Sequence, residues 1–287
     1  MAATLCYVLG KQVRTANARN RASHLLHYRT RELLRTAQET AGAVLARLCR
    51  MAPAEDLTFV LVHGAWHGGW CWRRVADILE ARGHTVLTPT LTGVGERAHL
   101  LSRDITLDTH IADVVEVFRQ QNLDEAVLCG HSYGGWVVSG AVEILRSQVA
   151  GLVFVDAHLP DEGQMGVDTS NGREDILEAA KRGELSRPPQ TAEYLCVNEN
   201  DRAWVDSMLT PQPIGVSLQP IRLTGAREAI PRRAYVRAPA FRSPTFDESL
   251  RRARERGYRI YEVPGGHDVM LDQPSLLAQI LLDAATS

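Results

Sequence analysis

From Leu57 onward, apolar residues fall into two alternating rhythms. Residues 57–64, LTFVLVHG, form a continuous apolar run, the pattern of a strand covered on both faces. WCWRRVADILEARG follows with helical spacing and closes at Gly83, a residue suited to a helix C-terminus. Residues 84–91, HTVLTPTL, predict a second strand. Residues 108–121, DTHIADVVEVFRQQ, predict a helix with an aspartate at the end where the helix dipole favours it. EAVLCGH is a third strand, GGWVVSGAVEILRSQ a helix, and residues 151–157, GLVFVDA, a fourth strand. The alternation stops at His158 and resumes near residue 233 with RAYVRAP, then the helix FDESLRRARERG, the strand RIYEVPGGH and the helix PSLLAQILLDAA.

Strands separated by helices of this length imply right-handed crossovers, hence a mostly parallel sheet with helices on both faces: an α/β fold. The interruption at about 158–232 holds helical and Pro-rich pieces with no clean strand, and is too long for a loop. It reads as a helical cap insertion over the carboxyl ends of the strands, where open α/β sheets place their sites. One domain over 53–287 accounts for the patterned part of the chain.

Residues 1–52 differ. The first fifty carry Lys11 and eight arginines against Glu32 and Glu39, a balance of +7 that leaves −9 on the remainder of a chain of net charge −2. This Arg-rich segment reads as an extension outside the core; an organelle transit peptide and an amphipathic helix are the alternatives. Arginines interrupt every candidate apolar stretch, which argues against a secretory signal. With so small a net charge, nucleic acid is not the expected partner. No apolar run reaches the length of a membrane span. The five cysteines are scattered, odd in number and without a CxxC pair, which fits a reducing, cytoplasmic compartment and offers no zinc site.

Chemistry enters with Gly130-His131-Ser132-Tyr133-Gly134, a G-x-S-x-G pattern between an apolar strand and an apolar helix. A sharp strand-to-helix corner would hold Ser132 in a strained conformation, and only small residues two positions away on each side would fit. A serine hydroxyl needs a base to become a nucleophile. His267, on the Gly-Gly loop after the last strand, lies at the same end of the sheet; His131 is expected to point into the core instead. The loop His63-Gly64-Ala65-Trp66-His67-Gly68-Gly69 would offer the N–H of Ala65, which with that of Tyr133 makes an oxyanion hole. Trp66, His67 and Trp204 are expected to line the substrate pocket.

LTFVLVHGAWHGGWCW, GHSYGG, VDAHLPDEGQ and PGGHDVM, in that order, make residues 57–287 resemble the α/β-hydrolase superfamily, in the branch of plant methylesterases, hydroxynitrile lyases and small bacterial esterases. The resemblance implies a Ser–His–acid mechanism under a cap, with no metal or organic cofactor. In much of the branch the acid follows the strand matched here by AYVRAP, where this chain has no carboxylate before Asp247, which looks like a helix N-cap. Asp156, ending the strand VFVDA, is the preferred acid because a carboxylate buried there needs a partner. Asp268 would have to fold back on its neighbour His267. Hydroxynitrile lyases of the branch carry Thr and Lys where this chain has Gly64 and Asp268. The expected activity is therefore hydrolysis of a small-molecule carboxylic ester. Lactone opening, a hydroxynitrile-lyase-type reaction and non-catalytic binding of a small ligand are the alternatives. Oligomeric state is left open, a homodimer being one option.

Overall fold

The computed structural model describes residues 56–170 and 172–286, so the expectations for residues 1–52 lie outside the described residues. β1 (Thr58–Val62), β2 (Thr85–Leu87), β3 (Ala126–His131), β4 (Val149–Val155), β7 (Arg232–Arg237) and β8 (Arg259–Glu262) form one sheet in the order β2-β1-β3-β4-β7-β8. Every neighbouring pair in it is parallel. The strands are as apolar as the sequence demands because both faces are covered. Along β1, Phe59 and Leu61 face one core while Val60 and Val62 face the other; β3 and β4 alternate in the same way.

One face packs against α2 (Leu107–Gln121), α3 (Gly134–Leu145) and α6 (Pro244–Glu255), through residues such as Ile111, Phe118, Val138 and Leu250. The opposite face packs against α1 (Arg73–Glu80) and α8 (Pro274–Thr286), through Val75, Leu79, Leu277 and Leu281. α2 starts at a Thr106–Thr109 capping box and stops at Asn122 in the left-handed region, φ 48°. No helix among the described residues is long and apolar enough to cross a membrane.

Between β4 and β7 the chain leaves the sheet. This insertion holds α4 (Arg173–Lys181), α5 (Arg202–Met208) and a two-stranded antiparallel ribbon, β5 (Ser186–Arg187) with β6 (Gln212–Pro213). The ribbon departs from the expectation of no strand there: two residues per strand are too few to leave a period-2 pattern. Asp247 also departs from expectation. The N-cap of α6 is Ser243, whose Oγ accepts the Phe246 N–H, and Asp247 sits in the first turn. The short α7 (Val269–Asp272) links the loop after β8 to α8.

Truncating a residue buried on β3 should cost far more than truncating one on the outer face of α3. Leu128→Ala is expected to lower the unfolding free energy by about 2–5 kcal/mol in urea titration. Ile144→Ala, at 64% exposure, is expected to change it by less than about 0.5 kcal/mol.

Candidate active site

Three strand ends meet the candidate chemistry with a non-glycine residue in the left-handed region: Trp66 after β1 (φ 68°), Ser132 after β3 (φ 51°) and Asp156 after β4 (φ 42°). Each is a conformation that costs energy and persists only where the surroundings enforce it. Around Ser132 the close approach of backbone admits only glycine two positions away on either side. A Cβ on Gly130 would lie 2.7 Å from the Gly134 carbonyl oxygen, and one on Gly134 would lie 2.8 Å from those of Val62 and His63. The corner is tied down by the Ser132 N–H, which donates to the Val155 carbonyl at 3.2 Å.

The turn directs the Ser132 hydroxyl at His267, whose Nε2 is 2.8 Å from Oγ. On the other side of the ring, Nδ1 is 2.7 Å from Asp156 Oδ2. A carboxylate there keeps the ring proton on Nδ1 and leaves the Nε2 lone pair to accept the serine proton. Asp156 is fully buried and its other oxygen is also satisfied: Oδ1 accepts from Arg237 Nη1 at 2.7 Å and from the Ala238 N–H at 3.1 Å. Arg237 donates onward to Asp247 at 2.8 Å. Of the two candidate acids, Asp156 touches His267 directly, while Asp247 is reached through the guanidinium. The imidazole packs against the rings of Phe241 and Phe246, whose centroids are 4.6 and 5.0 Å away. These packing residues, like Arg237, carried no motif that spacing alone could reveal.

The expected oxyanion donors occupy the same corner. Among the described residues no protein acceptor pairs with the N–H of Ala65 or Tyr133. Tyr133 is held by its hydroxyl, 3.0 Å from His110 Nδ1, while His110 Nε2 donates to the Thr92 carbonyl at 2.8 Å. Burial pushes the His110 pKa down to about 4, so the ring is neutral and accepts from the tyrosine. The Ala65–Trp66 turn is gripped from the insertion: Gln212 Oε1 accepts the Trp66 N–H at 3.0 Å, and the Thr210 N–H donates to the Trp66 carbonyl at 2.9 Å. The insertion also braces the histidine loop, because the His267 N–H donates to the Leu195 carbonyl at 2.9 Å.

A cavity of about 170 Å³ opens over Ser132 and His267, lined also by Ala65, Trp66, Tyr133 and residues of the insertion. Two expected pocket residues are elsewhere. Trp204 packs edge-on against Trp70, 5.2 Å away, beneath the Arg74 guanidinium. His67 is buried outside the cavity, with Nδ1 2.7 Å from the Ala65 carbonyl and Nε2 3.1 Å from Asp268 Oδ2. The partner that draws His67 inward stands 201 residues away, beyond any local pattern. Among the described residues, no group of three His, Cys, Asp or Glu side chains is placed to hold a metal ion.

His67 and Asp268 form a buried pair that ties the Ala65 loop to the residue after His267. Burial opposes both charges, but Asp268 raises the His67 pKa above 6.5, and His67, by charge and hydrogen bond, draws Asp268 down to about 2. The aspartate contribution to stability is therefore present above 3.8 and lost as pH falls towards about 2. The histidine contribution is present below 6.5 and lost as pH rises through the higher folded value. Asp268→Asn should lower stability by about 3 kcal/mol near pH 5.5 in urea unfolding. The gap should narrow in both directions outside that window; a gap independent of pH would remove the charge from the account.

These features have counterparts in known proteins. A sequence model of the alpha/beta hydrolase family matches residues 59–280. The carbendazim hydrolyzing esterase of Nocardioides sp. (strain SG-4G) is 36% identical over 242 residues, covering 78% of this chain and 97% of that protein. Methylesterase 7 of Arabidopsis thaliana is 40% identical over 105 residues, covering 36% of this chain and 40% of that protein. Among solved structures, an extracellular alpha/beta-hydrolase from a Paenibacillus species, described as sharing structural and functional homology with tobacco salicylic acid binding protein 2, superposes with a TM-score of 0.70. That superposition covers 80% of this chain and 100% of the other at 22% identity, a likeness of fold. A family match running from β1 into the last helix, with a relative aligned over nearly its whole length, makes this chain a member of the alpha/beta hydrolase family.

Proposed function

We propose that this chain hydrolyses small carboxylic esters through an acyl-enzyme on Ser132, under a cap formed by the insertion. The observation that carries the reading is the continuous chain of contacts from Ser132 Oγ through His267 to Asp156, at 2.8 and 2.7 Å, beside two backbone N–H groups that no acceptor among the described residues engages. Ser132 Oγ attacks the ester carbon as His267 Nε2 takes its proton, and the N–H groups of Ala65 and Tyr133 receive the developing oxyanion. His267 returns the proton to the departing alcohol. Water, deprotonated by the same ring, then cleaves the acyl–serine bond, releasing the acid and restoring the hydroxyl. Asp156 holds the tautomer and stabilises the imidazolium. The esterase and methylesterase names of the relatives support the same class of reaction.

Two details weigh against cyanohydrin cleavage. The position after His267 is Asp268, turned to His67 and outside the cavity. Gly64 leaves no room for a hydroxyl-bearing side chain, since an added Cβ would lie 2.8 Å from His131 Nδ1 and 2.9 Å from Ser132 Cβ. We assign the enzyme to the cytoplasm, a reading supported by the free thiols of Cys71, Cys129 and Cys196.

Turnover of short-chain p-nitrophenyl esters tests the assignment. Ser132→Ala should lower kcat by at least about 10⁴-fold, and Asp156→Asn by about 10⁴-fold with the unfolding midpoint little changed. Asp247→Asn, one guanidinium removed, should cost about 10-fold or less. Failure of the wild type to hydrolyse any short ester would favour a binding protein; near-normal turnover in Asp156→Asn would move the acid elsewhere.

A further inference from the structure

We propose that Arg187 is an anion-recognising group of the cavity, and that the ester bound there carries a carboxylate. The inference rests on the esterase reading for the word ester, and on the surroundings of Arg187 for the word carboxylate.

Arg187 closes β5 and lines the cavity that contains Ser132 and His267. Among the described residues, no Asp or Glu lines that cavity and Arg187 is its one fixed charge; the other polar lining residues are mainly hydroxyl-bearing, among them Ser170, Ser217 and Thr245. Among the described residues, no carboxylate lies within ion-pairing distance of the Arg187 guanidinium, and its Nε is sealed from solvent without a hydrogen-bond partner. The arginines buried most deeply among the described residues are treated differently. Arg237 meets Asp156 and Asp247, and Arg227 donates to Ser139 Oγ and the Pro160 carbonyl. An arginine kept half-buried without an acceptor is costly unless something supplied from outside completes it.

Its position is also built. Arg187 pairs across the ribbon with Gln212, the residue that accepts the Trp66 N–H, and its guanidinium carbon lies over the Trp66 ring, 4.6 Å from the centroid. Contact with the ring face holds the guanidinium in place without using its N–H donors, which leaves its fork for a carboxylate. The positive field reaches the neighbours: burial first, then His267 and Arg187, hold the His158 pKa down to about 3, so the adjacent ring remains neutral. Burial lowers Arg187 itself only to about 10, and it stays cationic at neutral pH. The cavity, at about 170 Å³, holds a group of about one ring's size, which keeps the anion within a few bonds of the ester.

Matched substrate pairs test this. Monomethyl succinate, glutarate and adipate place the carboxylate on the acyl side, and acetoxyacetate places it on the alcohol side; the neutral partner of each is its primary amide. At least one acid should have a kcat/KM about 10- to 100-fold above its amide. Arg187→Met should bring that ratio to about one, and Arg187→Lys should keep part of it, because charge survives while the fork does not. The ratio cancels any loss common to both substrates, including damage to the neighbouring Ala65–Trp66 turn. Independently, glutarate should bind Ser132→Ala, and about 10- to 100-fold more weakly the double variant with Arg187→Met, by calorimetry. Ratios near one for every wild-type pair, or a wild-type preference that survives Arg187→Met, would overturn the inference while leaving ester hydrolysis standing. If no ester of either kind were hydrolysed but glutarate still bound through Arg187, the anion site would stand and the esterase reading would fall.

Discussion

The site depends on one register. β3 and β4 pair so that His131 lies opposite Val155, and the next residue on each strand is therefore Ser132 and Asp156. Both turn through left-handed corners, and the Ser132 N–H closes on the Val155 carbonyl between them. A slip of one residue would send Ser132 to the opposite face of the sheet. The register is secured by strands whose alternate side chains are buried in two separate cores, so it inherits the cooperativity of the whole sheet.

Around this pair the protein solves an electrostatic problem. Asp156 and Asp268 are both fully buried, the first beside the His267 ring in space and the second next to it in sequence. Each is neutralised by a different cation: Arg237 for Asp156, and His67 for Asp268. Keeping the two pairs apart leaves His267 oriented by one carboxylate only. His131, pushed well below its usual pKa by burial, separates them as a neutral ring whose Nε2 donates to the His267 carbonyl.

Much of this was legible in the sequence because it is written in backbone terms. The glycines at 130 and 134 announce the corner at Ser132, the alternation of strands and helices places His267 at the same sheet end, and an acid closing an apolar strand asks for a partner. What spacing could not reveal are residues whose meaning lies in a distant contact. Arg237 reads as an ordinary strand residue until Asp156 is seen 81 positions away. Gln212 meets Trp66 across 146 positions, and its two-residue strand leaves no periodic trace. His67 looked like a pocket residue because its loop is one; only the distant aspartate explains why its ring turns inward.

The grip of the insertion on both loops has a consequence for how such a protein can change. The segment that shapes the cavity also holds the Trp66 peptide through Gln212 and Thr210, and the His267 amide through Leu195. Selectivity and turnover are therefore mechanically linked. An insertion transplanted from a relative would bring its own selectivity and would also reset the alignment of Ser132, His267 and the N–H groups of Ala65 and Tyr133. Evolution towards a new ester would then proceed through the residues between these anchor points, with the anchors themselves changing least.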